Sequence, residues 1–291
     1  MKTLHCFALA VLACTAHAQE AQDFLRTDIA SDRETPQWVG MYNQNGRWPN
    51  SVYPYWFNPA NVPANLKAGD VLAAMQTAAA RWAGMCNITF QYMGTTAIAP
   101  DAKNSIFLAD GVSVWGFAVF PASIDKYSGW TPTSVEGGSK IVDADVMLNA
   151  SKPWDLVTVE AAMTHELGHV IGLGHSNVVE SVMFANPYHP TTYVRTLRGD
   201  DAVGCAVLYG ASANALANRA MNWAEQTYAN LLKTGPVADA SWDGYLYRYY
   251  PGSNSYIGAR NGDAFYRGPN GVIQNLGALS NFTQQVNAAG F

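Results

Sequence analysis

The stretch His165-Glu166-Leu167-Gly168-His169-Val170-Ile171-Gly172-Leu173-Gly174-His175 constrains this chain more than any other part of it. An α-helix turns once in about 3.6 residues, so His165 and His169 fall on one face and can hold a single metal ion between them. Glu166 follows the first histidine, which sets its carboxylate beside the metal, placed to polarise a water without coordinating. Gly172 carries no Cβ and can take a positive φ, so the helix can stop there and the chain can swing His175 back as a third ligand. Three neutral imidazoles leave one tetrahedral position open, the arrangement of a catalytic zinc rather than a structural one. Leu167, Val170, Ile171 and Leu173 fill the intervening positions, as expected of a helix buried on one side.

The pattern H-E-x-x-H-x-x-G-x-x-H followed by a methionine turn is the metzincin signature, and Ser181-Val182-Met183, eight residues past His175, resembles that turn. The resemblance implies an α+β fold: a twisted mixed sheet backed by helices, an active-site helix and a closing C-terminal helix. It also implies a zinc endopeptidase in which Glu166 is the general base for a zinc-activated water and His165, His169 and His175 are the ligands. Met183 would lie beneath the metal as an apolar floor.

Ser176 and the stretch Leu197-Arg198-Gly199-Asp200-Asp201-Ala202-Val203-Gly204 resemble the matrixin branch. There a helix opening with two aspartates closes the domain; one would hold the methionine turn and the other the matured N-terminus. Arg47 to Tyr55 and Cys86 to Phe90 are similar instead to the opening strands of astacins. Position 176 is not Glu, however, and the residue two beyond Met183 is Ala185, not the zinc-binding tyrosine of astacins and serralysins. A matrixin-like enzyme is therefore favoured. The alternatives are an astacin-branch protease and a non-catalytic exported binding protein on the same scaffold, which would have no need of Glu166.

At the N-terminus, Lys2, the apolar run Phe7 to Ala13 and the A-x-A site Ala16-His17-Ala18 read as a secretory signal over residues 1–18, cleaved near Ala18. No later stretch approaches the roughly 20 apolar residues of a membrane span, so a secreted, extracellular or periplasmic protein without membrane insertion is expected. Cleavage removes Cys6 and Cys14 and leaves Cys86 and Cys205, and an even pair in an exported chain favours a disulfide. Astacins link similar positions. A net charge of -5 leaves no electrostatic footprint for nucleic acid. Only 13% of residues are charged against 49% hydrophobic, which suits a folded globule rather than a disordered chain.

The expected organisation is an N-terminal segment or short pro-segment at 19–46, a protease domain at 47–210 and a small Tyr/Gly-rich module at 211–291. In the segment 19–46, Asp23, Asp28 or Asp32 is a candidate to cap the zinc, as an aspartate does in astacin pro-segments. Val52 to Phe57 suits a strand, and Pro54 argues for a place near an edge. Val71, Leu72, Met75, Ala78, Ala79 and Trp82 make one stripe of a helix over 68–82. Ile88 to Tyr92, Ser105 to Ala109 and Ile141 to Asn149 read as further strands, and Val157 to Ile171 as the active-site helix, capped by Asp155 or Thr158.

Val114 to Pro121 resembles the edge strand that matrixins offer to an extended peptide, which makes Phe117 and Ala118 substrate-binding candidates. Pro187 and Tyr188, just past the methionine turn, would line the pocket for the residue after the scissile bond, with His189 in the same loop. Animal matrixins carry a second, histidine-bound zinc, but no histidine lies between Ala18 and His165, so one zinc is expected. Asp143, Asp145 and Asn149 offer oxygen ligands for Ca2+, although solvent-facing strand residues are the commoner explanation. After Gly210, a helix over 213–232 precedes strands at 244–250, 255–260 and 263–267, separated by Pro-Gly and Asn-Gly turns, and a last helix is expected from about Asn281. The aromatics of this module either bind a glycan or other surface, or pack a thin sheet on its helices. Packing is the favoured reading.

Overall fold

The computed structural model describes residues 46–101, 110–176, 178, 181–184, 195–228, 238–242, 245–260 and 263–278. Its elements are β1 (Val52–Phe57), α1 (Ala68–Met85), β2 (Thr89–Thr95), β3 (Val114–Ala118), β4 (Gly129–Trp130), β5 (Thr133–Glu136), β6 (Lys140–Ala144), β7 (Val146–Asn149), α2 (Leu156–Val170), α3 (Gly199–Tyr209) and α4 (Ala215–Thr227). They are followed by β8 (Ala238–Trp242), β9 (Tyr245–Tyr250), β10 (Ser255–Arg260), β11 (Asp263–Arg267) and β12 (Ile273–Ala278). No described helix is long and apolar enough to cross a membrane.

The first sheet runs β2-β1-β3-β7-β4, with β4 the one antiparallel strand. Helices α1 and α2 pack together on it around Tyr53, Tyr55, Trp82, Trp115, Met163 and Leu167, all buried. Tyr55 stacks on Trp115 with ring centroids 3.5 Å apart, and the Tyr53 hydroxyl takes the Trp115 indole N–H (2.9 Å) and donates to the Ala144 carbonyl (2.8 Å). These polar tips are satisfied inside an otherwise apolar layer, as buried tyrosine and tryptophan require.

Strand β1 lies near the edge, one strand in from β2, and Pro54 is accommodated because β3 pairs only with Trp56 and Phe57 and stops short of the residue that lacks an N–H. The expected edge strand is corrected: β3 lies between β1, which pairs with Val114 and Trp115, and β7, which pairs with Trp115 to Ala118. Phe117 is buried edge-on against Trp154, and the Ala118 carbonyl accepts from Ala150 N–H. The edge strand of this sheet on the α2 side is β4.

The single strand expected over 141–149 is two. Asp145 breaks it, its carboxylate accepting the main-chain N–H of Val114 (2.6 Å) and of Asp101 (2.9 Å), so that β6 turns away to pair with β5 while β7 continues in the main sheet. The expected strand at 105–109 and the last helix lie outside the described residues. Beyond Gly210, α4 is followed by an antiparallel sheet of order β12-β11-β10-β9-β8, which adds β8 and β12 to the three strands expected. Cys86 and Cys205 are joined by a disulfide, Cα atoms 5.7 Å apart, closing 119 residues of sequence between the end of α1 and α3.

Candidate metal centre

Helix α2 starts on a capping box: Asp155 accepts from Thr158 N–H (2.7 Å) while the Thr158 hydroxyl takes the Asp155 N–H (3.0 Å). Its far end stops at Gly172, where φ is +98° and a side chain would run into the Gly46 carbonyl. Leu173 N–H closes on Gly168 C=O (2.9 Å) and Gly172 N–H on His169 C=O (2.9 Å), and two carbonyls left over at the helix end are taken by side chains. The Trp48 indole N–H donates to Val170 C=O (2.8 Å) and the Tyr209 hydroxyl to Ile171 C=O (2.8 Å). Satisfied in this way, the helix end can be buried, and the chain leaves it in the direction that brings His175 back.

The three imidazoles converge. His169 Nε2 lies 3.2 Å from Nε2 of both His165 and His175, and all three ligand atoms lie within 4.8 Å of one another. Two nitrogens bound to one tetrahedral zinc at about 2.0–2.1 Å would be ~3.3 Å apart, so the His169–His165 and His169–His175 pairs have the spacing that zinc needs. On the other side of two rings, Nδ1 of His165 meets Val182 C=O (2.7 Å) and Nδ1 of His169 meets Leu173 C=O (2.9 Å). A carbonyl can only accept, so each Nδ1 carries the proton and each Nε2 keeps its lone pair for a metal. Burial, then the neighbouring imidazole charges, push the His169 pKa well below the ordinary histidine range and that of His175 down to about 3. The neutral, ligating form is thereby favoured.

Glu166 is buried, 6% exposed, beside this cluster. Burial raises its pKa; the His165 charge and a hydrogen bond from the Thr131 hydroxyl to Oε2 (2.5 Å) pull the other way. Thr131 follows β4, and Gly129 within β4 passes so close to the Glu166 carboxylate that any Cβ there would overlap it. Nothing in the sequence reading pointed to Thr131 or Gly129. The only signal was the turn-like string Ser128-Gly129-Trp130-Thr131-Pro132, too short and too polar to read as a strand.

Below the cluster lies the turn at 181–184. Met183 is fully buried against α2 at Gly168, and its carbonyl accepts Ser176 N–H (2.7 Å). Asp201, at the start of α3, holds the turn by accepting the Ser181 hydroxyl (2.5 Å), Val182 N–H (3.0 Å) and Met183 N–H (3.3 Å). Of the two aspartates, then, Asp201 grips the methionine turn, whereas Asp200 accepts the Ser176 hydroxyl (2.5 Å). Asp143 and Asp145 do not face solvent: both are buried, with Asp143 bonded to Ser113 and Asn149 buried against Asp125, Tyr127 and Ser151. Pro187, Tyr188 and His189 lie outside the described residues.

A three-histidine cradle on the end of a helix, a carboxylate beside it and a methionine turn below define a metzincin-type centre. The matrixin family model matches residues 47–210, more than half of the sequence, and the chain belongs to the matrixin family. Among its relatives, metalloendoproteinase 4-MMP of Arabidopsis thaliana is 28% identical over 201 residues, 64% of this chain and 54% of that protein. Metalloendoproteinase 1-MMP of the same plant is 25% identical over 182 residues, 58% of this chain and 46% of that protein. Metalloendoproteinase 2-MMP is 42% identical over 74 residues, 25% of this chain and 18% of that protein. The chain thus spans about half the length, or less, of these relatives.

Proposed function

We propose that the chain is a secreted zinc-dependent endopeptidase, with Glu166 as general base. The observation that carries this reading is the convergence of three imidazoles, their Nε2 atoms drawn together, beside a buried carboxylate. When bound by His165, His169 and His175, zinc acidifies water and polarises the scissile carbonyl as a Lewis acid. Glu166 takes the proton that the attacking water loses and returns it to the amine nitrogen as the C–N bond breaks. Thr131 and Gly129 hold the carboxylate at its post: the hydroxyl fixes Oε2, and the missing side chain leaves room for the carboxylate group. A binding scaffold would need the histidines but not this setting around Glu166.

Among the described residues β4 pairs on one side only, with β7, and its Gly129 runs beside Glu166, so an extended peptide can add to it through main-chain hydrogen bonds. Trp130, 36% exposed, is a side chain that such a peptide would meet. Export is supported by the apolar run Phe7 to Ala13 and the Ala16-His17-Ala18 site.

The test is hydrolysis of an unfolded protein by the chain purified from an exporting host and loaded with zinc, run beside Glu166→Ala. Cleavage by the parent and a loss of about three orders of magnitude or more in a variant with unchanged zinc content is expected. No cleavage by a zinc-loaded parent from which residues 19–40 are also removed would favour the non-catalytic binding protein.

A further inference from the structure

Behind the metal centre five ionisable side chains meet with no exposure to solvent: Arg81 on α1, Glu160 on α2, Arg195 just before α3, Glu225 on α4 and Arg248 on β9. Arg81 lies at their middle. One edge of its guanidinium, Nε and Nη2, meets Glu160 Oε1 (2.9 and 2.8 Å), and the other, Nη1 and Nη2, takes both oxygens of Glu225 (2.9 and 3.1 Å). Arg195 Nη1 reaches the second oxygen of Glu160 (2.9 Å). Glu225 also accepts from the Tyr250 hydroxyl (2.8 Å), from Thr196 (3.3 Å) and from Arg248 Nη1 (3.3 Å). Arg248 continues to Asn222 and to Asn218 Oδ1 (3.2 Å), and Asn222 donates to Leu197 C=O (2.8 Å).

The network crosses the boundary at which the family match ends. Arg81, Glu160 and Arg195 lie within 47–210, and Glu225, Arg248 and Tyr250 beyond it. Ions taken wholly out of water are tolerated only where partners and hydrogen bonds are supplied on every side, so the two segments complete each other's interior. Further bonds stitch the same seam: Asn218 donates to Gly84 C=O (3.2 Å) and Ser212 N–H to Met85 C=O (3.0 Å), close to the Cys86–Cys205 bridge. On the inner side Glu160 stands five residues before His165. Its carbonyl accepts the Thr164 hydroxyl (2.7 Å), and the carbonyl of Thr164 accepts the Trp82 indole N–H (2.8 Å) from the residue after Arg81. Adjacent residues of α1 therefore grip the metal-bearing helix at two points, one of them backed by Glu225.

We propose that α4 and β9 are a fixed buttress of the metal-bearing helix α2 rather than part of a separable binding module, and that Glu225 is its positioning residue, acting on α2 through Arg81 and Glu160. The consequence for zinc rests on the metal reading of His165, His169 and His175. The consequence for α2 does not.

The experiment uses the full chain as parent, Glu225→Gln, Tyr250→Phe and, as a control on the other face of the same sheet, Tyr249→Phe. Amide hydrogen exchange is followed in peptides from α2 and from α4. Zinc affinity is measured by competition with a chromogenic chelator at a temperature where each variant is fully folded. In Glu225→Gln, α2 should exchange roughly tenfold faster or more, since loss of a buried partner loosens every element that shares the network. Zinc should bind about three- to tenfold more weakly, less than for a group that touches a ligand directly. Tyr250→Phe should move both readings the same way by less, and Tyr249→Phe neither; if Glu225→Gln does not fold, Tyr250→Phe decides by the same readings. Faster exchange confined to 215–278 overturns the buttress, and unchanged zinc affinity overturns the positioning role. A parent that takes up no zinc sinks the metal reading, while the exchange pattern still decides whether α2 is buttressed.

Discussion

Thr131 shows how a single hydroxyl can matter to a carboxylate. Glu166 is buried, so in its charged form it needs a donor, and the described donor to its Oε2 is Thr131 Oγ1 at 2.5 Å. A hydrogen bond to a charged group contributes about 1.5–3 kcal/mol. Threonine to valine keeps the shape and removes the donor, so Thr131→Val should lower kcat for a peptide substrate roughly tenfold or more, with KM and zinc content nearly unchanged. The split is the informative part. A rise in KM with kcat intact would instead assign Thr131 to substrate contact on β4, and no change in either would show that Glu166 is held by its packing against Gly129.

At the scale of elements, the centre depends on a relay from α3 to α2. Asp201 accepts three hydrogen bonds from the methionine turn, and that turn presents Val182 C=O to Nδ1 of His165. Asp201→Ala releases the turn without touching a ligand. The expected result is zinc affinity down about 10–100-fold by chelator competition, the range for groups that orient a ligand; affinity at the parent level would mean that the turn is held by Met183 and Val182 packing alone. How legible such elements were depended on whether their cause was local. Helix α2 was readable because its ligand spacing, its Asp155-Thr158 cap and Gly172 all lie within some twenty residues of sequence. Strand β1 was readable for its composition. Its neighbours were not, because Pro54 tells only that one N–H is missing and not that β3 stops two residues short of it. Phe117 and Ala118 are substrate candidates only through the resemblance of Val114 to Pro121 to a matrixin edge strand, and the place of β3 between β1 and β7 is a long-range fact. The two-residue β4, which does form the edge, has no periodicity to read. Asp145 broke an apparently continuous strand through hydrogen bonds to residues 31 and 44 positions away, a cause that no local window contains.

For the whole molecule, the Cys86–Cys205 bridge ties the end of α1 to α3 while the buried ions tie α1 to α2, α4 and β9, two unrelated means of holding α1 in place. A loop of 119 residues closed by a disulfide contributes about 4–5 kcal/mol in the chain-entropy model, and this does not vary with pH in acid. The ions do. Burial alone would raise the Glu225 pKa, but Arg81, Arg248 and Arg195 around it bring it down to about 2 from an ordinary 4.5. Because the folded value lies below the unfolded one, the unfolded chain takes up the proton first as pH falls. The stability from this group is therefore complete above about pH 4.5, amounts to roughly 3 kcal/mol there, and is lost as pH falls toward 2. Asp145 runs the other way: burial raises its pKa to about 7, so its protonation favours the folded chain as pH drops from 7 toward 4. Urea unfolding of the parent alone would mix the two. Set against Glu225→Gln, which keeps Asp145, the difference isolates Glu225: the parent should be the more stable by a constant amount from pH 7 to 5, and the gap should close by about 3 kcal/mol between pH 4.5 and 2. A gap that stays constant down to pH 2.5 would mean that Glu225 is not held ionised by its three arginines, and that hydrogen bonding from Tyr250 and Thr196, available to a neutral amide as well, accounts for its place in the core.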